Sequence, residues 1–193
     1  MQPLKKIVVI GPESTGKSTL CEQLAAHYGT VWTPEYAREY LLIHGMEYDY
    51  ADLLVIAKGQ VALEEACAQQ LLDRVVEEGV VSNPGAFGER RVLFIDTDLY
   101  VMKVWSEFVF GKCDPWILDQ IGIRQYDGYL LCRTDIPWTP DALREYPDLV
   151  TREKLFHIYK DCLVNQSTPW VEIGGQANER LAMAIDAVNR LIA

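Results

Sequence analysis

Eight residues near the start of the chain have the types and spacing that bind phosphate. Residues 11–18 read GPESTGKS, in which two glycines lie five positions apart and a lysine and a serine follow the second. Glycine adopts backbone angles that turn successive N–H groups inward, so that such a loop forms an anion-binding nest. In a G-x-x-x-x-G-K-S loop the lysine reaches the β- and γ-phosphates, and the serine hydroxyl ligates Mg²⁺. The motif therefore predicts a site for ATP and Mg²⁺.

The nucleotide contacts follow from this motif. A helix predicted to begin near Lys17 adds the positive end of its dipole to the loop. Lys17 is also expected to act in catalysis, because it reaches the phosphoryl group that is transferred, and Ser18 is expected to bind the metal. The predicted ATP contacts are Gly11, Glu13, Ser14, Thr15, Gly16, Lys17, Ser18 and Thr19. The motif specifies a bound triphosphate, but it leaves the acceptor of the phosphoryl group open.

Acidic residues follow two predicted strands, at the edge where an open parallel sheet places its crevice. Asp96 comes after four apolar residues and is predicted to hold Mg²⁺ opposite Ser18, with a helix cap as the alternative. Asp98 suits a helix cap and an acceptor contact equally well. Glu35 follows Pro34; it can take the proton of an acceptor hydroxyl, or it can stabilise the first turn of a helix. These carboxylates predict the metal and acceptor side of the site.

An arginine and several aromatic residues extend this acceptor side. Arg38 lies on the same helix face as Glu35, so it can bind phosphate or pair with that glutamate. Aromatic rings can stack on a flat acceptor, although they are also typical of a core. The predicted acceptor contacts are Glu35, Tyr36, Arg38, Asp98 and Trp105.

The segment 133–145 is predicted to be a loop that closes over the site as a lid. It contains Pro137, Trp138 and Pro140, which disfavour regular structure, and it has arginines near both ends. Kinases of small molecules exclude water with arginine-bearing lids. We therefore expect Arg144 to clamp the γ-phosphate, although an ordinary surface loop is the alternative. The predicted catalytic residues are Lys17, Glu35, Asp96 and Arg144.

Hydrophobic periodicity predicts the elements that position these residues. Strands alternate with amphipathic helices, which indicates an α/β fold: a parallel five-stranded sheet with helices on both faces, in a single domain over 1–193. The predicted strands are 4–10, 30–33, 92–95, 129–132 and 170–173. The predicted helices are 17–28, 51–78, 99–110, 151–164 and 179–192, with a loop at 82–91.

Composition limits the partners of the chain. Its 193 residues carry a net charge of -10 without a Lys/Arg cluster, which argues against nucleic acid and anionic membranes as partners. The five cysteines are widely spaced and suit free thiols in a reducing cytoplasm. No signal peptide and no membrane-spanning run are predicted. These observations favour a cytoplasmic enzyme acting on a small molecule, of undetermined oligomeric state.

Four motifs in this order resemble one family. They are GPESTGKS at 11–18, EYAREY at 35–40, FIDTD at 94–98 and DIPWTPDALR at 135–144. Together they resemble the ribosylnicotinamide kinase domain of the bifunctional bacterial NAD-biosynthesis regulator, among the P-loop AAA-type ATPases and kinases. The resemblance covers nearly the whole chain, whereas the H-x-G-H motif of a nucleotidyltransferase is absent.

The resemblance implies a nucleoside-monophosphate-kinase-like P-loop NTPase fold and an activity. The implied reaction transfers phosphate from ATP to nicotinamide riboside, giving nicotinamide mononucleotide and ADP. The resemblance also implies that Glu35, Arg38, Asp96 and Asp98 lie on the acceptor side. Two other functions stay open: a kinase of another nucleoside or small alcohol, and a P-loop ATPase that acts as a regulatory switch. The N-K-x-D motif that reads guanine is absent from the sequence.

Overall fold

Five parallel strands form the central sheet in a computed structural model that describes residues 3–78 and 91–192. The strand order is β2-β3-β1-β4-β5. The strands are β1 Lys5–Ile10, β2 Trp32–Thr33, β3 Val92–Asp96, β4 Gly128–Cys132 and β5 Trp170–Ile173. The predicted α/β sheet is therefore confirmed, although β2 is shorter than expected. The predicted loop at 82–91 lies outside the described residues, apart from Arg91.

Seven helices connect and cover these strands in the described part of the chain. They are α1 Lys17–Tyr28, α2 Tyr36–His44, α3 Tyr50–Glu78, α4 Leu99–Phe110, α5 Pro115–Ile123, α6 Leu149–Val164 and α7 Ala177–Leu191. Neither α2 nor α5 is among the predicted helices, although the start of α5 carries a clear signal. Asp114 caps it by accepting the Trp116 N–H at 2.9 Å, and Pro115 occupies the first turn.

The three central strands bring the ends of several elements to one place. β1 lies between β3 and β4, with Val9 opposite Asp96 and Ile10 opposite Leu131. The apolar residues of these strands are fully buried, as expected for a sheet covered on both sides. Because the strands are parallel, the loops that follow β1, β3 and β4 meet at the same edge of the sheet.

Alternate side chains of each strand pack on opposite layers of helices. On one face Ile7 and Phe94 contact residues of α1 and α7, such as Leu24 and Val188. On the other face the sheet packs against α3, α4 and α6. A third apolar cluster joins α2, α3, α4 and α5 and fixes the position of α2 beside the sheet edge. No helix of the described residues has the length and apolar character needed to cross a membrane.

Candidate active site

The loop after β1 has the backbone geometry of an anion cradle. Gly11 and Gly16 have φ values of 143° and 78°, and Ser14 is also left-handed at 55°. Glycine is required at position 11, because an added Cβ would lie 2.7 Å from the Cys132 carbonyl oxygen. The loop is held internally by Thr15 Oγ1 and Lys17 Nζ, which donate to the Pro12 carbonyl at 2.7 and 3.1 Å.

A cavity of about 360 Å³ opens from this loop toward α2 and α4. All of the predicted ATP contacts line it, together with Glu35, Arg38, Trp105 and Arg144. Other lining residues were not predicted as contacts, among them Phe108 of α4, Glu145 and Tyr146 at the end of the predicted lid segment, and Leu155 and Tyr159 of α6. The structure therefore brings the phosphate loop and most of the predicted acceptor residues into one cavity.

Asp96 lies at the end of β3, where it is fully buried and does not itself line the cavity. Its Oδ1 accepts the Thr97 hydroxyl at 3.4 Å, whereas its buried Oδ2 has no hydrogen-bond partner among the described residues. Burial, followed by the negative charge of Glu35, raises the pKa of Asp96 to about 6; Lys17 and Ser18 act in the opposite direction. A carboxylate oxygen without a partner next to Ser18 fits a divalent cation such as Mg²⁺.

Gln60 of α3 links the backbone of Asp96 to the beginning of α2, and it was not predicted. Its buried side chain accepts the Tyr36 N–H at 2.7 Å and donates to the Asp96 carbonyl oxygen at 3.3 Å. Glu35, the residue before α2, is thereby held next to the end of β3. A lone glutamine in a long helix gives no sequence signal for such a contact, because its partners lie on other elements.

The segment 133–145 lacks helix and strand and lies across the phosphate loop. The Thr139 N–H donates to Ser14 Oγ at 2.9 Å, and the Glu145 N–H donates to a carboxylate oxygen of Glu13 at 2.9 Å. The Tyr146 N–H donates to the other oxygen of Glu13. Two side chains of the phosphate loop therefore hold this segment against the loop, beside the cavity.

Two arginines of the site have partners in the lid. Arg38 forms an ion pair with Asp141 at 2.8 Å, and not with Glu35, which was one of its two predicted partners. Arg144 lines the cavity and donates to the Thr139 carbonyl within the loop. Both arginines thus lie at the cavity wall, on the side formed by the segment 133–145.

Comparison with known families adds to this geometry. Residues 6–180 match the AAA_28 family, described as an AAA domain. The chain belongs to this AAA domain family.

Two curated relatives of this AAA domain are the trifunctional NAD biosynthesis/regulator proteins NadR of Salmonella typhimurium and Escherichia coli. The chain is 26% and 25% identical to them over 174 residues. In both alignments the match covers 88% of this chain but 38% of the relative. The predicted resemblance is therefore confirmed, and this AAA domain corresponds to somewhat more than a third of those relatives.

Solved structures with the same fold support the architecture. NadR in complex with NR superposes with a TM-score of 0.73 at 23% identity, over 98% of this chain and 50% of that chain. NadR in complex with NAD and AMP-PNP gives 0.71 at 23% identity, over 98% and 49%. Thymidylate kinase from Ehrlichia chaffeensis gives 0.59 at 13% identity, over 97% and 100%. The predicted nucleoside-monophosphate-kinase-like P-loop fold is confirmed.

Two predicted acceptor contacts of the AAA domain, Tyr36 and Asp98, do not line the cavity. Tyr36 packs its ring against α3, where a Cβ added at Gly59 would lie 2.0 Å from the ring. Asp98 is buried, and its Oδ1 caps α4 by accepting the N–H groups of Tyr100 and Val101 at 3.0 and 3.4 Å. Its Oδ2 accepts the Tyr129 hydroxyl at 3.0 Å, so both oxygens are used inside the protein.

Replacing Asp98 by asparagine is expected to remove a pH dependence of stability from the AAA domain. Burial raises the pKa of Asp98 from 3.8 to about 7. Its stabilising contribution is therefore fully present below pH 3.8 and is lost as the pH rises through 7. Asn caps a helix about as well as Asp, but it does not titrate. Between pH 5 and pH 8 the free energy of unfolding of the variant should therefore rise by on the order of 2 kcal/mol relative to that of the parent.

Urea unfolding of both proteins at several pH values measures this difference. Asp148→Asn provides the matched control, because Asp148 caps α6 by accepting the Thr151 N–H at 2.7 Å. This hydrogen bond lowers the pKa of Asp148, so its substitution should leave the profile between pH 5 and pH 8 unchanged. Parallel stability profiles for the parent and Asp98→Asn would contradict the role of Asp98 as a buried, titrating cap.

Proposed function

We propose that the chain is an ATP-dependent kinase that phosphorylates nicotinamide riboside to nicotinamide mononucleotide. The observation that carries the proposal is the single cavity, which joins a phosphate loop to an acidic and aromatic pocket under a lid. The two solved NadR structures, one in complex with NR and one in complex with NAD and AMP-PNP, support the choice of acceptor and donor. The kinase class rests on the fold and the cavity, and the acceptor rests on the chemistry of the pocket.

The phosphate half of the cavity has the groups that a triphosphate requires. Inward N–H groups of the loop and Lys17 would bind the β- and γ-phosphates, and Ser18 and Asp96 would hold Mg²⁺. When bound, Mg²⁺ neutralises charge that develops on the phosphate oxygens. Arg144, which already lies at the cavity wall, is the arginine best placed to contact the γ-phosphate.

Glu35 has the position of a general base. It lines the cavity between the phosphate loop and the acceptor half, and its charge is felt by Asp96. In the proposed reaction a ribose hydroxyl attacks the γ-phosphorus and gives its proton to Glu35. The new O–P bond forms as the bond to the β-phosphate oxygen breaks, and ADP leaves. The lid would limit the competing attack by water.

The acceptor half of the cavity suits a flat ring that carries a positive charge. Trp105, Phe108 and Tyr146 provide aromatic walls, and the carboxylates of Glu35 and Glu145 also line the cavity. Glu145 and Trp105 are joined through Tyr48, whose hydroxyl accepts the indole N–H at 2.8 Å and donates to Glu145 at 3.1 Å. A pyridinium riboside gains both charge attraction and cation–π contacts worth about 1–2 kcal/mol, whereas a neutral nucleoside gains neither.

Coupled ADP release with different acceptors tests this proposal. Nicotinamide riboside should stimulate ADP release with a kcat/KM at least about tenfold above that of uridine, which corresponds to about 1.4 kcal/mol. Reactions without acceptor give the rate of hydrolysis by water. An equal or faster reaction with uridine would contradict nicotinamide riboside as the acceptor, but it would still support a kinase. ADP release that no nucleoside or small alcohol stimulates would favour a regulatory ATPase.

A further inference from the structure

Two buried arginines lie behind the phosphate loop, outside the cavity. Arg152 in the first turn of α6 is 2% exposed, and Arg180 in the first turn of α7 is 5% exposed. Arg152 Nη2 donates to the Ser14 carbonyl oxygen at 3.1 Å, and Arg180 Nη1 donates to the Thr15 carbonyl oxygen at 3.3 Å. Two successive carbonyl groups of the loop therefore have guanidinium donors from two different helices.

These two contacts fix the direction of the neighbouring N–H groups. In a trans peptide the C=O and N–H bonds point to opposite sides, and the described residues contain no cis peptide bond. The Ser14 carbonyl shares its peptide plane with the Thr15 N–H, and the Thr15 carbonyl shares its plane with the Gly16 N–H. A donor that holds the carbonyl outward consequently holds the next N–H inward, toward the position of a bound phosphate.

The backbone at Ser14 needs such support. Its φ of 55° lies in the left-handed region, which is unfavourable for residues other than glycine. Its side chain is held from the lid by the Thr139 N–H, and its carbonyl is held from below by Arg152. The two contacts together stabilise the left-handed conformation of Ser14.

The charges of the two arginines also point to a function at the loop. A buried guanidinium is costly unless an anion balances it. Arg180 pairs with Asp135, whereas the negative charge of Glu13 acts on Arg152 without forming an ion pair with it among the described residues. The Nε atoms of both side chains are buried and without a hydrogen-bond partner in the described part of the chain. An anion held in the phosphate loop would add negative charge close to both guanidinium groups, across the peptide groups.

We propose that Arg152 and Arg180 are positioning residues that orient the Thr15 and Gly16 N–H groups for phosphate before the nucleotide binds. The inference rests on the proposed binding of a nucleotide by the loop. Arg180 also donates to the carbonyl groups of Ile173 and Arg133 at 3.2 and 3.5 Å. It therefore ties the phosphate loop to the end of β5 and to the first residue of the lid.

Calorimetric binding of ADP to methionine and lysine variants tests the proposal. Arg152→Met and Arg180→Met should each weaken ADP binding by at least about tenfold, because charge-assisted contacts that orient the donors are lost. The lysine variants keep one charged donor and should recover part of the affinity. The amide NMR signals of Thr15 and Gly16 in the nucleotide-free protein should shift in the methionine variants, which shows whether the loop itself has changed.

Arg124→Met separates this role from general stability. Arg124 also has a buried Nε without a partner among the described residues, but it pairs with Glu64 and Glu65 at 2.9 and 3.1 Å, away from the loop. This variant should lower the melting temperature and leave ADP affinity within about twofold of the parent. Methionine variants of Arg152 and Arg180 that fold and bind ADP with the affinity of the parent protein would overturn the inference. If a methionine variant does not fold, the ADP affinity of the corresponding lysine variant is compared with that of the parent instead. Failure of the parent protein to bind ADP would instead overturn the proposed function.

Discussion

Lys17→Ala is expected to reduce phosphoryl transfer by about a thousandfold, the scale seen when a preorganised donor to developing charge is removed. Lys17 lines the cavity and is the first residue of α1, with its ammonium group held 3.1 Å from the Pro12 carbonyl oxygen. Alanine is the best helix former, so the substitution should leave the fold intact. Steady-state ADP release and thermal unfolding of the same preparation measure the two effects.

Lys103→Ala is the matched control for the loss of a lysine. Lys103 forms a surface pair with Glu107 four residues further along α4, at 2.6 Å, and such pairs contribute only a few tenths of a kcal/mol. This variant should keep the activity of the parent protein. Near-parental turnover by folded Lys17→Ala would exclude the assignment of residues 11–18 as the catalytic phosphate loop.

Asp96→Asn is expected to abolish activity at low Mg²⁺, and high Mg²⁺ is expected to restore part of that activity. The substitution keeps the size of the side chain but removes the charge that would hold the cation with Ser18. The parent protein should also bind Mg²⁺–ADP less tightly as the pH falls, because the pKa of Asp96 is raised to about 6 and its protonated form is a poor ligand. Below pH 6 the affinity should fall by roughly tenfold per pH unit.

Titrations of nucleotide binding against pH and Mg²⁺ distinguish this role from a structural one. In Asp96→Asn the fall in affinity attributed to Asp96 should disappear, since the group no longer titrates. Asp98→Asn serves as the control, because both carboxylate oxygens of Asp98 already have hydrogen-bond partners inside the protein. A variant Asp96→Asn with full activity at low Mg²⁺ would show that the metal is held by other groups.

The sequence was sufficient to predict parts of the site that depend on local patterns. The phosphate loop is a contiguous motif between a strand and a helix, so its position and its backbone role could be predicted together. Asp96 was predicted because a buried parallel strand ends at the same edge as β1. Both predictions needed only the periodicity of the strands and the rule that places the crevice at their carboxyl ends.

Other features depend on contacts between distant elements, which one sequence does not reveal. Tyr36 and Trp105 are both aromatic residues near predicted site elements, but only Trp105 lines the cavity, because the Tyr36 ring packs against Gly59. Arginine is usually exposed on an amphipathic helix, yet Arg152 and Arg180 are both buried behind the loop. Their partners at the phosphate loop are backbone carbonyls, which carry no residue identity and therefore leave no pattern to detect.

Identification of the phosphorylated product tests the central proposal most directly. The protein would be incubated with ATP, Mg²⁺ and nicotinamide riboside, and the reaction followed by ³¹P NMR and mass spectrometry, with Lys17→Ala as the blank. The proposed function predicts that the γ-phosphoryl group of ATP appears on the riboside as nicotinamide mononucleotide, in equal amount to the ADP formed. ADP accompanied only by inorganic phosphate, with the riboside unchanged, would contradict it.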